Sequence, residues 1–530
     1  MVKTLNTDIM KKTAILSTLV FLILLTACSG SDSKNKTLKL GFGKADLTQA
    51  AIFEDPLVKG KTYKSQHKYD REEKFAISDR VKGRWRPGSG MTRKLVDSLT
   101  VEAMYGEDEN GPWTVVTFDE CFLMQELVDI LKKKLIEQLY IPEDRIIFLM
   151  SHGHTTIKMV PEKYAQAVFD AVNMAKNNMA EAEIAPLHLE VDSKTFQINR
   201  RIYVEGIGTH NVMFNDYCIP HHDYLDATGQ ITNWLHTLGM TDKEIEKRFG
   251  KDHKFICDGK VDNKLQALLI RDAKTKKIKG TFVRYASHAG IVSAKMVNGD
   301  VSPDFPGHLK NKIEKELGGI ALFAQGPSGD LRPLHKEYSH AEAKRYGYAL
   351  ADIIIRNIGK AQWQPLTSEH LYFEQVSLPL MENIYLSDDE VERRMQLIED
   401  KFDKETNPRK RRILQNDFWR LYRADWTRNM IRPEWKQADE ISFAMTALKL
   451  NDETLLSTNG EIFSQLGADM VGSFDDKVIL TTISDEYISY FLPDFERDRG
   501  GYTASVAITK YGTADSLINA SQRLLNKIYK

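Results

Sequence analysis

The chain is 530 residues long, with 28% charged residues and a formal net charge of -1, so it has no basic excess with which to neutralise phosphates, and nucleic acid is excluded as a partner. Its 42% hydrophobic content is ordinary for a globular protein. A length that would suggest several domains is also within the range of one large α/β domain. Four cysteines, Cys28, Cys121, Cys218 and Cys257, form no CxxC pair. With Cys28 set aside the remainder is odd in number and irregular in spacing, which argues against a disulfide framework, and the last three are expected to be buried small apolar residues. From Met10 two lysines lead into an apolar run, Thr13 to Ala27, that is too short and too sharply ended for a stable membrane span and suits a secretory signal.

The end of that run, Leu25-Thr26-Ala27-Cys28, resembles the lipobox of bacterial lipoproteins. The resemblance implies a lipoprotein signal over residues 1–28, lipidation of Cys28, and a mature chain anchored to a membrane of the bacterial cell envelope, at the outer membrane or the periplasmic face. Residues 29–37 read as a polar tether. No Pro/Ser-rich linker divides 38–530, which is expected to be one domain.

The elements then alternate. A strand opens the body at "LKLGFGKADLT", and Trp113 to Cys121 forms a second, ending in Asp119 and Glu120. Helical spacing follows in "FLMQELVDILKKKLIEQL". Ile146 to Met150 is a short apolar run, hence a buried strand, and it runs straight into Ser151-His152-Gly153-His154. A helix starts at Pro161. "GTFVRYASHAG" is a strand ending at His288, and "GGIALFAQGPSGD" is a strand ending in a Gly-rich turn, followed by a helix from His340. The charged stretch from Ser387 to Trp435 reads as an exposed helical pair broken at Pro408, clear of any site. "AMTALKL", "KVILTTISDEY" and "YTASVAI" are late strands. Strand–helix alternation of this kind predicts an α/β fold.

Several strands end in groups that bind metal or move protons: His152 and His154 on one, His288 on another, and Glu461 in the turn "TNGE". In open α/β sheets such ends gather along one edge. These residue types suit zinc, whose catalytic sites use three protein ligands and leave room for water or substrate. His-x-His on an extended chain points both rings to one face, so one can bind metal while the other touches substrate. Two further clusters stay open. His221, His222 and Asp223 are either a polar loop or the lining of a pocket mouth. Asn199 to Arg201 is either a surface charge pair or a substrate clamp.

In their order these segments resemble the neutral/alkaline ceramidases, secreted zinc amidases. "GFGKADLT" is similar to the family's opening strand and "SHGHTT" to its Ser-His-Thr-His-Ser-Gly-Pro. The stretch ending "FVRYASHAG" is similar to its Phe-Ala-x-His turn, and "VSPDFPGHL" to its Asp-x-x-Gly segment. "FAQGPSGDLRP" is similar to its Gly-Asn/Asp-x-Ser-Pro segment, "NGEIFSQLG" to Pro-Gly-Glu-x-x, and "DEYISYFLPDFERDRGGYTA" to its Tyr-bearing strand. The resemblance implies mixed sheets flanked by helices with a metal site at the strand ends. It implies one Zn2+ per chain, held by His152, His288, Glu461 and Tyr490, with His154 near the substrate amide and Tyr502 near the developing oxyanion. It implies hydrolysis of an N-acyl bond in a small lipid or glycan substrate by metal-activated water. This chain departs from the pattern at the family's serine, which falls on Arg332, and at Thr155-Thr156-Ile157. The family's C-terminal β-sandwich domain is not expected here. Arg332 either recognises a polar or anionic substrate group, acting in catalysis, or braces its loop by pairing with Asp330 or Asp304. The alternative to an enzyme is a non-catalytic surface lipoprotein that binds a lipid or glycan and retains the metal site.

Overall fold

Two crossovers, one at each edge of a large sheet, bring the histidine-bearing strand ends into place. Strands β1 (Lys39–Asp46), β2 (Thr100–Asp108) and β3 (Gly111–Phe118) form an antiparallel meander, and helix α1 (Gln125–Leu139) crosses over to β4 (Ile146–Met150), which lies parallel to β3. Helix α2 (Pro161–Asn177) returns to β5 (Ala180–Glu190), antiparallel to β1. After the short β6 (Gln197–Asn199), the hairpin β7 (Lys264–Asp272) and β8 (Ile278–Tyr285) adds to β5, and α3 (Asp304–Leu317) crosses over to β9 (Ile320–Gln325), parallel to β8. The sheet order is β9-β8-β7-β5-β1-β2-β3-β4, with Gln364–Pro365 also paired to β5, nine strands among the described residues. This is a mixed α/β fold.

The remaining elements build a second sheet. After β10 (Leu331–Pro333), which pairs with β6, come α4 (His340–Asn357), β11 (Glu369–Pro379) and the helix pair α5 (Asp388–Lys404) and α6 (Pro408–Trp426). Strands β12 (Glu440–Leu450), β13 (Glu453–Thr458) and β15 (Val478–Thr481) then follow β11 in the order β11-β12-β13-β15. The two-residue strands β14 (Glu461–Ile462) and β16 (Tyr490–Phe491) pair separately, and α7 (Thr513–Tyr529) ends the chain. One core layer packs the face of the large sheet against the second sheet, with Phe42, Met104, Leu268 and Leu322 meeting Leu448, Leu455 and Ile479. Helices α1 and α2 cover half of the other face through Leu131, Leu135, Val168 and Val172, α3 and α4 cover the rest, and α7 closes the second sheet through Leu517 and Leu524. The structure, a computed structural model, describes residues 37–50, 95–155, 160–211, 226–237, 239–292, 300–426 and 438–530. The signal segment with Cys28, Thr156-Ile157, Cys218 and the His221-His222-Asp223 cluster lie outside these residues.

The opening G-x-G has a steric cause. A Cβ on Gly41 would stand 1.8 Å from the Ala175 carbonyl oxygen, and one on Gly43 1.9 Å from that of Ala171. Only glycine lets β1 lie backbone-close on α2. Two expectations need correction. "YTASVAI" is not a strand: Tyr502–Ser505 is a short helix, because Gly500 and Gly501, both at positive φ, turn the chain just before it. The charged helix pair is not wholly exposed either, since Phe418 and Trp419 are buried.

A buried ion cluster ties α3 to the meander. Lys310 Nζ donates to Glu102 at 2.8 and 2.9 Å and to Asp119 Oδ1 at 2.8 Å, and all three residues are almost wholly out of water. Burial pushes the Asp119 carboxyl up; at Glu102 burial acts the same way, but the Lys310 and Lys44 ammoniums outweigh it and hold the carboxyl below its usual range. Removing the one shared cation leaves two carboxylates buried without it. Lys310→Met should therefore cost about 3–5 kcal/mol, read as a shift of the urea midpoint. Lys312→Met, on the same helix as Lys310, removes a surface pair with Asp352 of α4 and should cost under about 1 kcal/mol.

Candidate metal centre

The five residues of β4 are all buried. At its end the chain turns through His152, whose φ of 60° is uncommon for a side-chain-bearing residue and marks a locally constrained backbone. That turn lets the next residues join the His288 segment. Gly153 bridges to Ala289, and the His154 amide donates to the Ala289 carbonyl at 3.1 Å. The three imidazoles are thereby gathered, with ring centroids 4.6 Å apart for His152–His288, 4.7 Å for His152–His154 and 5.4 Å for His154–His288.

Each ring is fixed by its Nδ1, which donates to a main-chain carbonyl: Cys121 for His152 at 2.8 Å, Leu331 for His288 at 2.9 Å, and His152 for His154 at 2.9 Å. A carbonyl only accepts, so Nδ1 carries a proton, and it is Nε2 that the neutral ring presents as its lone-pair nitrogen. The Nε2 atoms of His152 and His288 point at Glu461 Oε2, 3.5 and 3.3 Å away. These three atoms are buried and make no hydrogen bond. Ligands about 2.0–2.2 Å from one tetrahedral cation sit roughly 3.4 Å apart, so the spacing is that of a shared ion. Among the described residues, metal-capable atoms come within 4.8 Å in two groups of three, this one and Cys121–His152–His154. Cys121 is half-buried, with its Sγ 3.7 Å from His152 Nδ1, the nitrogen already committed to a carbonyl, so the His152–His288–Glu461 group is the better donor set.

Glu461 is delivered by β14 and registers directly against Tyr490 on β16. Gly460 precedes it at φ 100°, where a Cβ would stand 2.5 Å from the Phe491 ring. The Tyr490 hydroxyl accepts from Arg200 Nη2 at 3.1 Å, and the same nitrogen donates to the Gly329 carbonyl at 2.7 Å. Burial pushes the Tyr490 phenol well up and the nearby Glu461 carboxylate adds to this, so only a strong positive charge beside it would draw the proton off. Burial and the His152 ring push the His154 imidazole down to about 3, which keeps it neutral.

One tripeptide tethers both histidine segments. Thr155, just after His154, donates its hydroxyl to the Ser302 carbonyl, and the Val292 amide, four residues beyond His288, donates to Asp304 Oδ2 at 2.8 Å. Asp304 is buried at φ 54°, and burial pushes its carboxyl up to about 7.

His152, His154, His288, Glu461 and Tyr490 are thus brought together. Tyr502 borders the same cluster, packing near Tyr490 and Phe463, with its hydroxyl accepting from Arg423 Nη2 at 2.6 Å. Arg332 follows the carbonyl that holds His288; its guanidinium is buried and donates to His335 Nε2 at 3.1 Å and to Tyr338 at 2.7 Å. The two carboxylates considered for it are engaged elsewhere, Asp330 with Ser464 and Asn199 and Asp304 with main-chain amides. Asn199 to Arg201 is no surface charge pair, since all three residues are buried. Arg200 reaches the site, while Arg201 braces Glu496 at 2.8 Å and Thr503 at 2.6 Å. The helix pair also reaches the site's edge, through Arg423. Sequence reasoning missed that arginine, one of many charges on a charged helix.

No protein-family model and no curated protein sequence matches the chain. Among solved structures, the crystal structure of neutral ceramidase from Pseudomonas aeruginosa aligns with a TM-score of 0.57 at 12% identity, over 92% of this chain and 73% of that one. A ceramidase complexed with C2 aligns with a TM-score of 0.55 at 12% identity, over 92% and 74%. The chain has the neutral ceramidase fold. At 12% identity the likeness is one of fold alone.

The donor set fits a divalent cation of the zinc type: two neutral imidazole nitrogens, one carboxylate oxygen and an adjacent phenol. Protein dialysed against zinc should retain one ion per chain by elemental analysis. His152→Ala and His288→Ala should each lose it, because one ligand fewer leaves the cation underheld, whereas His154→Ala should keep it. Full occupancy in His152→Ala would overturn the ligand assignment.

Proposed function

We propose that the chain is an exported, lipid-anchored, zinc-dependent amidohydrolase that cleaves an N-acyl bond. The observation that carries this reading is the convergence of three buried, hydrogen-bond-deficient atoms, His152 Nε2, His288 Nε2 and Glu461 Oε2, beside Tyr490 on a ceramidase fold. A zinc ion held there would supply a Lewis acid for the carbonyl and lower the pKa of water. The protein's part is orientation. The Cys121 and Leu331 carbonyls hold the Nδ1 protons, which fixes each ring's orientation and tautomer and makes Nε2 the more basic donor to a cation. His154, held neutral, can hydrogen-bond the amide without adding charge. Arg200 and Tyr502 are the donors placed to meet negative charge growing on the carbonyl oxygen. Water attacks the carbonyl carbon, the C–N bond breaks, and the amine leaves with a proton that originated on the water.

Arg332 stands where the resemblance places a serine. A guanidinium stays protonated and cannot attack a carbonyl, but hydrolysis by activated water needs no side-chain nucleophile. Its planar fork suits carboxylate, sulfate or phosphate. The proposed substrate is therefore a small N-acyl lipid or glycan with an anionic or strongly polar group near the scissile bond. Wild type should hydrolyse anionic N-acyl substrates in preference to plain ceramide. Arg332→Ala and Arg332→Ser should narrow that preference by about 10-fold or more, since a charge-assisted hydrogen bond is worth about 1.5–3 kcal/mol. Equal loss on matched neutral and anionic substrates would refute anion recognition. Zinc-loaded wild type inert on every N-acyl substrate would favour the rival reading, a binding lipoprotein that retains the site.

The anchor is proposed from Leu25-Thr26-Ala27-Cys28. One acyl chain binds membranes only marginally, so a stable anchor needs more than one on the same cysteine. Fatty-acid labelling should mark the native protein and miss Cys28→Ala; equal labelling would sink the anchor.

A further inference from the structure

Helix α6 touches the centre through its last three turns. Asn416 Oδ1 accepts from the Gly501 amide at 3.1 Å, the Trp419 ring meets the Tyr502 ring edge to face at 5.9 Å, and Arg423 lies over the Tyr502 ring with its guanidinium carbon 4.9 Å from the centroid. The 2.6 Å bond from Arg423 Nη2 ends on the Tyr502 hydroxyl oxygen. From the other side, Asn211 Oδ1 accepts from the Tyr502 amide at 3.1 Å. The guanidinium carbon of Arg423 also lies 5.9 Å from the Tyr422 ring centroid.

The chemistry of a hydroxyl gives this contact its meaning. A phenol has one proton to donate and an oxygen that accepts. When a guanidinium donates to that oxygen, the proton must point elsewhere, and the donor it forms is strengthened by the charge behind it. We propose that Arg423 is a positioning residue that holds the Tyr502 hydroxyl with its proton directed at the carbonyl oxygen of the scissile bond. This rests on the amidohydrolase reading and extends it: the charged helix pair becomes the wall that orients the oxyanion donor. A purely structural Arg423 would brace the Gly500–Tyr502 turn and leave the chemical step untouched.

The test uses the full-length zinc-loaded protein and the variants Arg423→Met, Arg423→Lys, Tyr502→Phe and the double Arg423→Met/Tyr502→Phe. Removal of one oxyanion donor costs about 10²–10³ in kcat, which is the loss expected for Tyr502→Phe. Arg423→Met should lose about 10-fold or more in kcat, with KM changed less than about threefold, and Arg423→Lys should recover part of it, since an ammonium can donate but not as a fork. The double variant should be no worse than Tyr502→Phe alone, because both changes remove one interaction. Losses that multiply in the double variant, a change in KM alone, or Arg423→Lys as impaired as Arg423→Met would overturn the proposal.

A second readout needs no turnover: the dissociation constant of a long-chain hydroxamate, whose oxygen stands in for the developing oxyanion. The same non-additive weakening supports the proposal, and independent losses overturn it. Zinc-loaded wild type that binds the hydroxamate but hydrolyses no N-acyl substrate defeats the functional reading while this arm still decides Arg423. Wild type that binds no hydroxamate overturns both.

Discussion

Two imidazole nitrogens and a carboxylate oxygen are held out of water, facing one another, with nothing donating between them. Leaving one such atom unsatisfied costs about 1–3 kcal/mol, and more when it is charged. Left alone, the three would rotate toward solvent or toward nearby donors. The surrounding structure prevents this with main-chain carbonyls, which cannot be lost by side-chain substitution and which fix both tautomer and ring plane. The left-handed backbone at His152 is a further local cost accepted around the same point.

The layered fold gives that constraint its foundation. Both histidines sit just past the carboxyl ends of strands that run parallel to a neighbour, one in the β3–α1–β4 unit and one beside the β8–α3–β9 unit, at opposite ends of the same sheet order. The Gly153–Ala289 bridge joins those distant strand ends directly. Glu461 and Tyr490 come from short strands attached to the second sheet, so the cluster stands where the two sheets meet. Lys310 with Glu102 and Asp119 fastens the crossover helix to the meander whose end supplies the Cys121 carbonyl.

Much of this was legible in the sequence because it follows from short-range chemistry. Runs such as Ile146–Met150 leave no room for anything but a buried strand, and a His-x-His at the end of one is conspicuous. The glycines of β1 and the turn before Glu461 mark contacts with backbone or ring that a side chain would block. What stayed hidden depends on the main chain or on long-range placement. The carbonyls of Cys121 and Leu331 orient the rings whatever side chains those residues carry. Arg200 and Arg423 look like any other arginine until folding brings them to Tyr490 and Tyr502. "YTASVAI" has the composition of a strand, but the Gly500-Gly501 turn and Asn416, far away in sequence, decide that it begins as a helix. The relation between Arg332, His335 and Tyr338 is local in sequence, yet nothing in the spacing distinguishes it from a pairing with Asp330.

The Ser302–Asp304 tripeptide, tied to Thr155 on one side and Val292 on the other, makes the two histidine segments parts of one mechanical unit. Neither segment can drift without dragging the other. The clip thus acts with the Gly153–Ala289 bridge and the Cys121 and Leu331 carbonyls in holding the two nitrogens at one separation, without touching either of them. A change at Ser302, Pro303 or Asp304 would be felt at both histidines at once while leaving every donor atom in place.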